Sequence, residues 1–287
     1  MLNKEVKPIW LASYPKSGNT WTRIFLSSLL SDKDPDLNNL KTDGIISSRN
    51  IIDGTLGIDT GDIPERLFNK YRSELYHKWA ESKNKEFLLT KVHDACHNRG
   101  ILYFPPKITR GVIYIIRNPF DMAASLANHN GTTISKSVKN LCDNSVCLAN
   151  NHKKLNNQIS QFMGSWSYHV ESWTNIHRKN ILVVRYEDML NNGLETFKKI
   201  VSYLELDYTD EQIQKAIENS SFNKLKEKEN QFTFKEKPAK AESFFRSGKV
   251  GGWRNEITKE EAQMIIDFNY DKLLKYNYID QNGNILV

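Results

Sequence analysis

The octapeptide Tyr14-Pro-Lys-Ser-Gly-Asn-Thr-Trp21 limits what this chain can fold into more than any other stretch, because it stands between an apolar run, Ile9-Trp-Leu-Ala, and a helical pattern. Pro15 ends the expected strand. Gly18 removes a side chain where the backbone must approach a ligand, and Thr20 and Trp21 open a helix that continues through Arg23-Ile-Phe-Leu-Ser-Ser-Leu-Leu30. The first N–H groups of a helix lack partners and the helix dipole is positive there, so such a turn suits a phosphate or sulfate. In an ordinary nucleotide-triphosphatase loop the lysine directly precedes the hydroxyl that holds magnesium. Here Asn19 takes that place and the lysine stands upstream at Lys16, which argues against an ATPase. Taken by itself, the octapeptide equally fits a strand-to-helix turn with an incidental lysine.

Further apolar runs supply the rest of a sheet. Buried strands are expected at 87–92, 111–116 and 181–185, the second being continuously apolar as in parallel sheets covered on both faces. That strand delivers Arg117. Asn118 can cap the next helix, Pro119 fits its first position, and Asp121 and Ser125 share a face, so Arg117 and Ser125 can converge beyond the strand end where ligands of open α/β sheets sit. The expected fold is α/β, one P-loop-like domain over residues 1–287 with a central parallel sheet flanked by helices. Residues 31–60 read as surface loop with short helical pieces, a helix is expected from Pro64 to Tyr71, 128–158 as a polar lid or insertion, and 224–245 as a charged mobile loop. Helices are expected over 162–173, 193–204, 210–219 and 259–274. Arg246-Ser-Gly-Lys-Val-Gly-Gly-Trp253 gathers cations and glycines, a composition suited to wrapping an anion with main-chain N–H groups.

At 287 residues, with 39% hydrophobic and 26% charged residues, a folded core is expected rather than disorder. A net charge of +6 suits an anionic ligand or nucleic acid, although surface lysines also serve solubility. Cys96, Cys142 and Cys147 are too few for a disulfide framework and point to a reducing compartment. Cys142, Cys147 and His152 have no second ligand pair, so no metal is expected. No apolar run reaches the ~18–20 residues that span a bilayer, and the expected location is cytoplasmic, without a membrane partner.

Three blocks, in this order, resemble the cytosolic-type sulfotransferases. These enzymes move a sulfuryl group from 3′-phosphoadenosine 5′-phosphosulfate (PAPS) to a hydroxyl or amine and release 3′,5′-adenosine bisphosphate (PAP). Tyr14–Trp21 is similar to the family's 5′-phosphosulfate loop, Tyr114-Ile-Ile-Arg-Asn-Pro-Phe-Asp-Met-Ala-Ala-Ser125 to its 3′-phosphate block, and Arg246–Trp253 to its C-terminal loop. The resemblance runs from about Trp10 to Thr258. It implies that Lys16 contacts the bridging oxygen and 5′-phosphate, with Ser17, Gly18, Asn19 and Thr20 as loop contacts. Trp21 and Phe222 would cover the two faces of adenine, and Tyr186 and Ser220 match adenine-contacting positions. Arg117, Ser125, Arg246, Ser247 and Gly248 would hold the 3′-phosphate. Lys91 and His93 resemble the family's Lys-x-His pair, His93 as general base and Lys91 steadying the sulfuryl oxygens, while Lys16 faces the leaving group.

The chain departs from the family pattern in places. Asn19 replaces a usual Thr, Ser247 a usual Lys, and Gly252 a common Asp; Lys249 is the candidate to restore the charge lost at Ser247. The family's dimerisation pattern is poorly kept around 254–263, so the oligomeric state stays open. His129, His152, His169 and His177 are expected to be structural or solvent-facing, and Trp166 and Trp173 to be core. The polarity of 128–158 favours a small polar natural product over a steroid as acceptor. Two alternatives stand beside this reading. A nucleoside or nucleotide kinase would need a magnesium-organising loop, and a nucleic-acid-binding module would use 224–249 as a phosphate-tracking strip.

Overall fold

A computed structural model of the chain describes residues 6–83, 85, 87–150 and 155–287, so His152 lies outside the described residues. The elements in chain order are β1 (Ile9–Ser13), α1 (Asn19–Ser31), β2 (Asp43–Ile45), α2 (Arg49–Leu56), α3 (Arg66–Asn69), α4 (Arg72–Glu81), β3 (Leu89–Val92), β4 (His97–Asn98), β5 (Ile101–Leu102), β6 (Gly111–Ile116), α5 (Pro119–Asn130), α6 (Ile134–Leu141), β7 (Cys147–Leu148), β8 (Gln161–Phe162), α7 (Trp166–Ile176), β9 (Ile181–Arg185), α8 (Tyr186–Asn191), α9 (Gly193–Tyr203), α10 (Asp210–Asn219), α11 (Phe222–Gln231) and α12 (Lys259–Lys275). The fold is α/β. Its five-stranded sheet has the order β2-β3-β1-β6-β9, and β3 pairs in parallel with β1 and with β2. Every residue of β1 and β6 is buried, which is why those runs carry no polar alternation: both faces of the sheet's centre are covered.

The chain forms two compact units. Unit one comprises Met1–Tyr14, Thr42–Tyr114 and Asn144–Leu182; unit two comprises Pro15–Lys41, Ile115–Asp143 and Val183–Val287. Unit one is centred on aromatic rings: Trp10 meets Phe104 edge-on at 5.1 Å, and Phe104 stacks on Tyr76 at 5.3 Å and packs on Trp173 at 4.9 Å. In unit two, Ile24, Leu37, Leu225, Phe234 and Phe245 form a buried cluster against which Trp21, Phe222 and Phe244 pack.

The helix expected over 162–173 starts only at Trp166, because Phe162 of β8 pairs with Cys147 of β7 and Ser165 caps the helix. Residues 31–60, expected as loop with helical pieces, also contain the edge strand β2, whose three residues carry no apolar run and are ordered by pairing with β3 across a register shift. The helix expected from Pro64 to Tyr71 is shorter, Arg66–Asn69. The polar stretch 128–158 holds the end of α5, all of α6 and β7. Within α6, Val138 and Leu141 are buried beneath an otherwise polar surface, which composition alone conceals. The expected mobile loop 224–245 begins as α11 and then returns to the core through Phe234 and Phe245, each less than a tenth exposed. Strands β6 and β9 and helix α10 occupy the residues their sequence patterns predict.

Candidate active site

The turn between β1 and α1 takes up the strained geometry its sequence demands. Gly18 has φ 107° and serves as N-cap of α1, and a Cβ there would lie 2.8 Å from the Tyr186 ring. Lys16 also has positive φ, 69°, uncommon for a residue with a side chain. Arg117, at the end of β6, braces this conformation by donating from Nη1 to the Lys16 carbonyl oxygen at 3.0 Å. Its guanidinium lies 4.3 Å above the Tyr186 ring, and Tyr186 packs edge-on against Trp21 at 5.8 Å. Burial pushes the Tyr186 phenol up, against the pull of Arg117. Lys16, Gly18, Trp21, Arg117 and Tyr186 are thus one packed assembly in unit two.

The remaining loop residues line the same turn. Ser17 and Asn19 are buried, Ser17 donating to the Met122 sulfur at 3.6 Å. The Thr20 hydroxyl donates to Glu236 at 3.3 Å, and Arg23 forms an ion pair with the same carboxylate at 2.6 Å. Lys16 Nζ sits 3.9 Å above the Phe244 ring and 3.5 Å from its carbonyl oxygen. Glu229 on α11 holds that segment by accepting from the main-chain N–H groups of Phe244 and Phe245, the latter at 3.1 Å.

The second and third blocks are tied together by a buried carboxylate. Asn118 caps α5 by accepting from Asp121 N at 2.8 Å, and the Asp121 carboxylate accepts from the main-chain N–H groups of Gly251 and Trp253, each at 2.9 Å. Glu187 closes the network from α8, accepting from Asn118 N and Nδ2 and from the Tyr278 hydroxyl. Asp121 therefore fixes the C-terminal loop to the helix turn between Arg117 and Ser125. Ser125 is 7% exposed on α5. Gly248, at φ 63°, lies so close to Phe222 that a Cβ would fall 2.4 Å from its ring.

Some expected contacts take another form. Arg246 is exposed and forms a two-pronged ion pair with Glu256, Nη2 to Oε2 at 3.1 Å. The Ser220 hydroxyl is fully buried and back-bonded to the carbonyls of Ala216 and Ile217 at the end of α10. Ser247 Oγ accepts from Lys249 N at 3.3 Å, and the Lys249 side chain is exposed. The sequence reading missed Asp121, Glu187, Glu236 and Glu256 as organisers of this region. Only Asp121 carried a local signal, its position three residues after the Asn118 cap.

Lys91 and His93 belong to unit one, Lys91 within β3 and His93 just after it. His93 Nδ1 lies 2.8 Å from the Ser13 carbonyl oxygen and 3.5 Å from the Ser13 hydroxyl. A carbonyl only accepts, so Nδ1 carries the hydrogen and the neutral ring keeps its lone pair on Nε2. The next residue, Asp94, forms a buried ion pair with Arg72 at 2.7 Å. Burial nevertheless pushes the Asp94 carboxyl up to about 6, with Arg72 pulling the other way. Of the histidines expected to be structural or solvent-facing, His169 and His177 are buried. Among the described residues no group of three or more His, Cys, Asp or Glu side chains is arranged to hold a metal, and no helix is long and apolar enough to cross a membrane.

A guinea pig (Cavia porcellus) 3-alpha-hydroxysteroid sulfotransferase is 25% identical over 272 residues, covering 92% of this chain and 83% of its own. A rabbit (Oryctolagus cuniculus) amine sulfotransferase is 26% identical over 174 residues, covering 56% of this chain and 55% of its own. Among solved structures, mouse sulfotransferase SULT7A1 complexed with PAP superposes with a TM-score of 0.59 at 22% identity, covering 95% of this chain and 86% of its own. Retinol dehydratase in complex with androsterone and inactive cofactor PAP gives 0.60 at 21% identity, covering 98% and 84%. At those identities the superpositions speak to the fold alone. The family model of the sulfotransferase domain matches residues 7–276, a span that takes in every site residue named from Lys16 to Gly248, and the chain belongs to the sulfotransferase family.

Proposed function

We propose that this sulfotransferase uses PAPS as donor and a hydroxyl or amine of a small molecule as acceptor, with residues 1–287 acting as one sulfotransferase domain. The observation that carries the reading is the gathering of the three anion-binding blocks in unit two: Arg117 braces the Lys16 turn, Asp121 ties down the Gly251–Trp253 backbone, and Gly248 lies against Phe222. The residues fit the donor. Gly18, at φ 107° and with no room for a Cβ beside the Tyr186 ring, caps the start of α1, and a helix N-terminus suits a 5′-phosphosulfate. Trp21, Phe222 and Tyr186 are the proposed partners of adenine and Arg117, Ser125, Ser247 and Gly248 of the 3′-phosphate; Arg246 would have to release Glu256 to join them, and the back-bonded Ser220 hydroxyl is not free to contact adenine.

In this reading His93 Nε2 takes the acceptor proton as the acceptor oxygen or nitrogen bonds to sulfur and the sulfur–oxygen bond to the 5′-phosphate breaks. The Ser13 carbonyl supports that role by fixing the hydrogen on Nδ1. Lys16 compensates charge on the departing phosphate, Lys91 attends the sulfuryl oxygens, and PAP is the product. No metal step is required. The kinase alternative lacks its magnesium loop, since Asn19 precedes Thr20 and the Thr20 hydroxyl donates to Glu236. A cytoplasmic location and the absence of a nucleic-acid partner follow from the same reading.

For the acceptor, the polar surface of 128–158 favours a small polar natural product, whereas the guinea pig relative is named for a hydroxysteroid. A panel containing a hydroxysteroid, a primary amine, a phenol and a polar alcohol, incubated with PAPS, separates these classes. Sulfation of the polar members is expected; sulfation of the steroid alone would reverse the acceptor assignment. Thermal shift completes the test: stabilisation by PAP and none by ATP–magnesium is expected, and the opposite pattern would favour a kinase.

A further inference from the structure

We infer that His169, oriented by Tyr114, is a positioning residue for His93, holding the main chain from which that imidazole projects. The inference rests on the reading of His93 as the base. His169 Nε2 lies 3.0 Å from the His93 carbonyl oxygen, and His169 Nδ1 lies 2.8 Å from the Tyr114 hydroxyl. The carbonyl can only accept, so Nε2 carries the hydrogen; Nδ1 is then the acceptor and Tyr114 donates. His93 is thereby held at both ends, its main-chain oxygen by His169 and its ring Nδ1 by the Ser13 carbonyl.

The rest of α7 works on the same segment. The Trp173 indole donates to the Asp94 carbonyl oxygen at 3.0 Å, and the Ser172 hydroxyl accepts from Cys96 N at 3.0 Å. Residues 169, 172 and 173 share one helix face through their i, i+3 and i+4 spacing. Residues 93–96 lie beyond the end of β3, and these side chains supply polar partners that a strand ladder would otherwise provide. His169 and Tyr114 are both buried, so their hydrogen bonds do not compete with water. Burial also drives His169 down to about 4, which keeps it neutral and its Nδ1 an acceptor near pH 7.

The test uses His169→Leu, which has no donor, His169→Gln, whose amide can donate to the His93 carbonyl, and Tyr114→Phe, which deletes one oxygen. Three quantities are read: kcat at saturating PAPS and acceptor, the Kd of PAP, and the ¹⁵N signals that report the His93 tautomer. His169→Leu is expected to lose about 10²-fold in kcat, as for a displaced catalytic group, with His169→Gln restoring most of it. The Kd of PAP should stay within about 2-fold throughout, because its proposed ligands belong to unit two. The His93 signals should change from the Nδ1–H tautomer to a mixture in His169→Leu and Tyr114→Phe. A kcat for His169→Leu within about 3-fold of wild type, or an unchanged His93 tautomer, would overturn the inference. If His169→Leu does not fold, the tautomer in Tyr114→Phe decides the matter. The nitrogen signals need no turnover, so they report on positioning even if the sulfuryl-transfer assay fails, whereas His93→Ala tests the base itself.

Discussion

Arg246 meets Glu256 through both ends of its guanidinium, each Nη donating to one carboxylate oxygen. The forked donors proposed for a 3′-phosphate are therefore engaged by a carboxylate ten positions downstream. Ser247 stands where the family usually has lysine, so the loop carries one positive charge fewer and a competing negative one.

Replacing Glu256 by Gln should tighten PAP binding. The two side chains are 31% and 25% exposed, so the pair is partly screened and is worth about 1 kcal/mol or less, or up to about 5-fold in Kd. Calorimetric titration of E256Q with PAP checks this. Weaker binding would mean that Glu256 presents Arg246 to the ligand instead of competing for it.

Gly248→Ala should cost roughly 1–3 kcal/mol of stability and weaken PAP binding. The new Cβ would stand 2.4 Å from the Phe222 ring in a backbone at φ 63°, combining overpacking with left-handed strain. Gly252→Ala is the control, since its Cβ would meet nothing nearer than Asp121 Oδ1 at 3.8 Å. Urea unfolding and PAP titration of the two variants make the comparison; equal behaviour would mean that the close approach of Gly248 to Phe222 matters to neither stability nor PAP binding.

His169 and Asp94 pull stability in opposite directions with pH. His169 is lowered from 6.5 to about 4, chiefly by burial, so its contribution is present above pH 6.5 and lost as pH falls toward 4. Asp94 is raised from 3.8 to about 6, so its contribution is present below pH 3.8 and lost as pH rises through 6. In His169→Gln only the first is removed. Relative to wild type, that variant should gain roughly 3 kcal/mol between pH 6.5 and 4, the equivalent of the His169 displacement. Urea unfolding at several pH values tests it, and a difference from wild type that stays constant with pH would contradict a buried neutral His169.

Much of this was legible in the sequence because the decisive signals are local. The run Gly111–Ile116 is apolar throughout and is followed by Asn118 and Pro119, so strand, cap and helix start are all written within ten residues. Lys16, Gly18 and Arg117 were named from such local patterns, and they pack together. What escaped is long-range. β2 exists because Asp43 and Ile45 pair with β3, not because the tripeptide favours a strand. Glu236 reaches Arg23 across 213 positions and Asp121 reaches Trp253 across 132, and no spacing rule announces either contact. In the polar stretch 128–158, buried positions one turn apart were outweighed by their neighbours' polarity.

Transfer from PAPS with His93 as base is tested by PAP release from PAPS with an acceptor present, wild type beside His93→Ala. Wild type should release PAP in step with sulfated acceptor, while His93→Ala keeps its PAP affinity and loses about 10²–10⁴-fold in kcat. Equal turnover in the two proteins, or no consumption of PAPS by wild type across the acceptor panel, would contradict it.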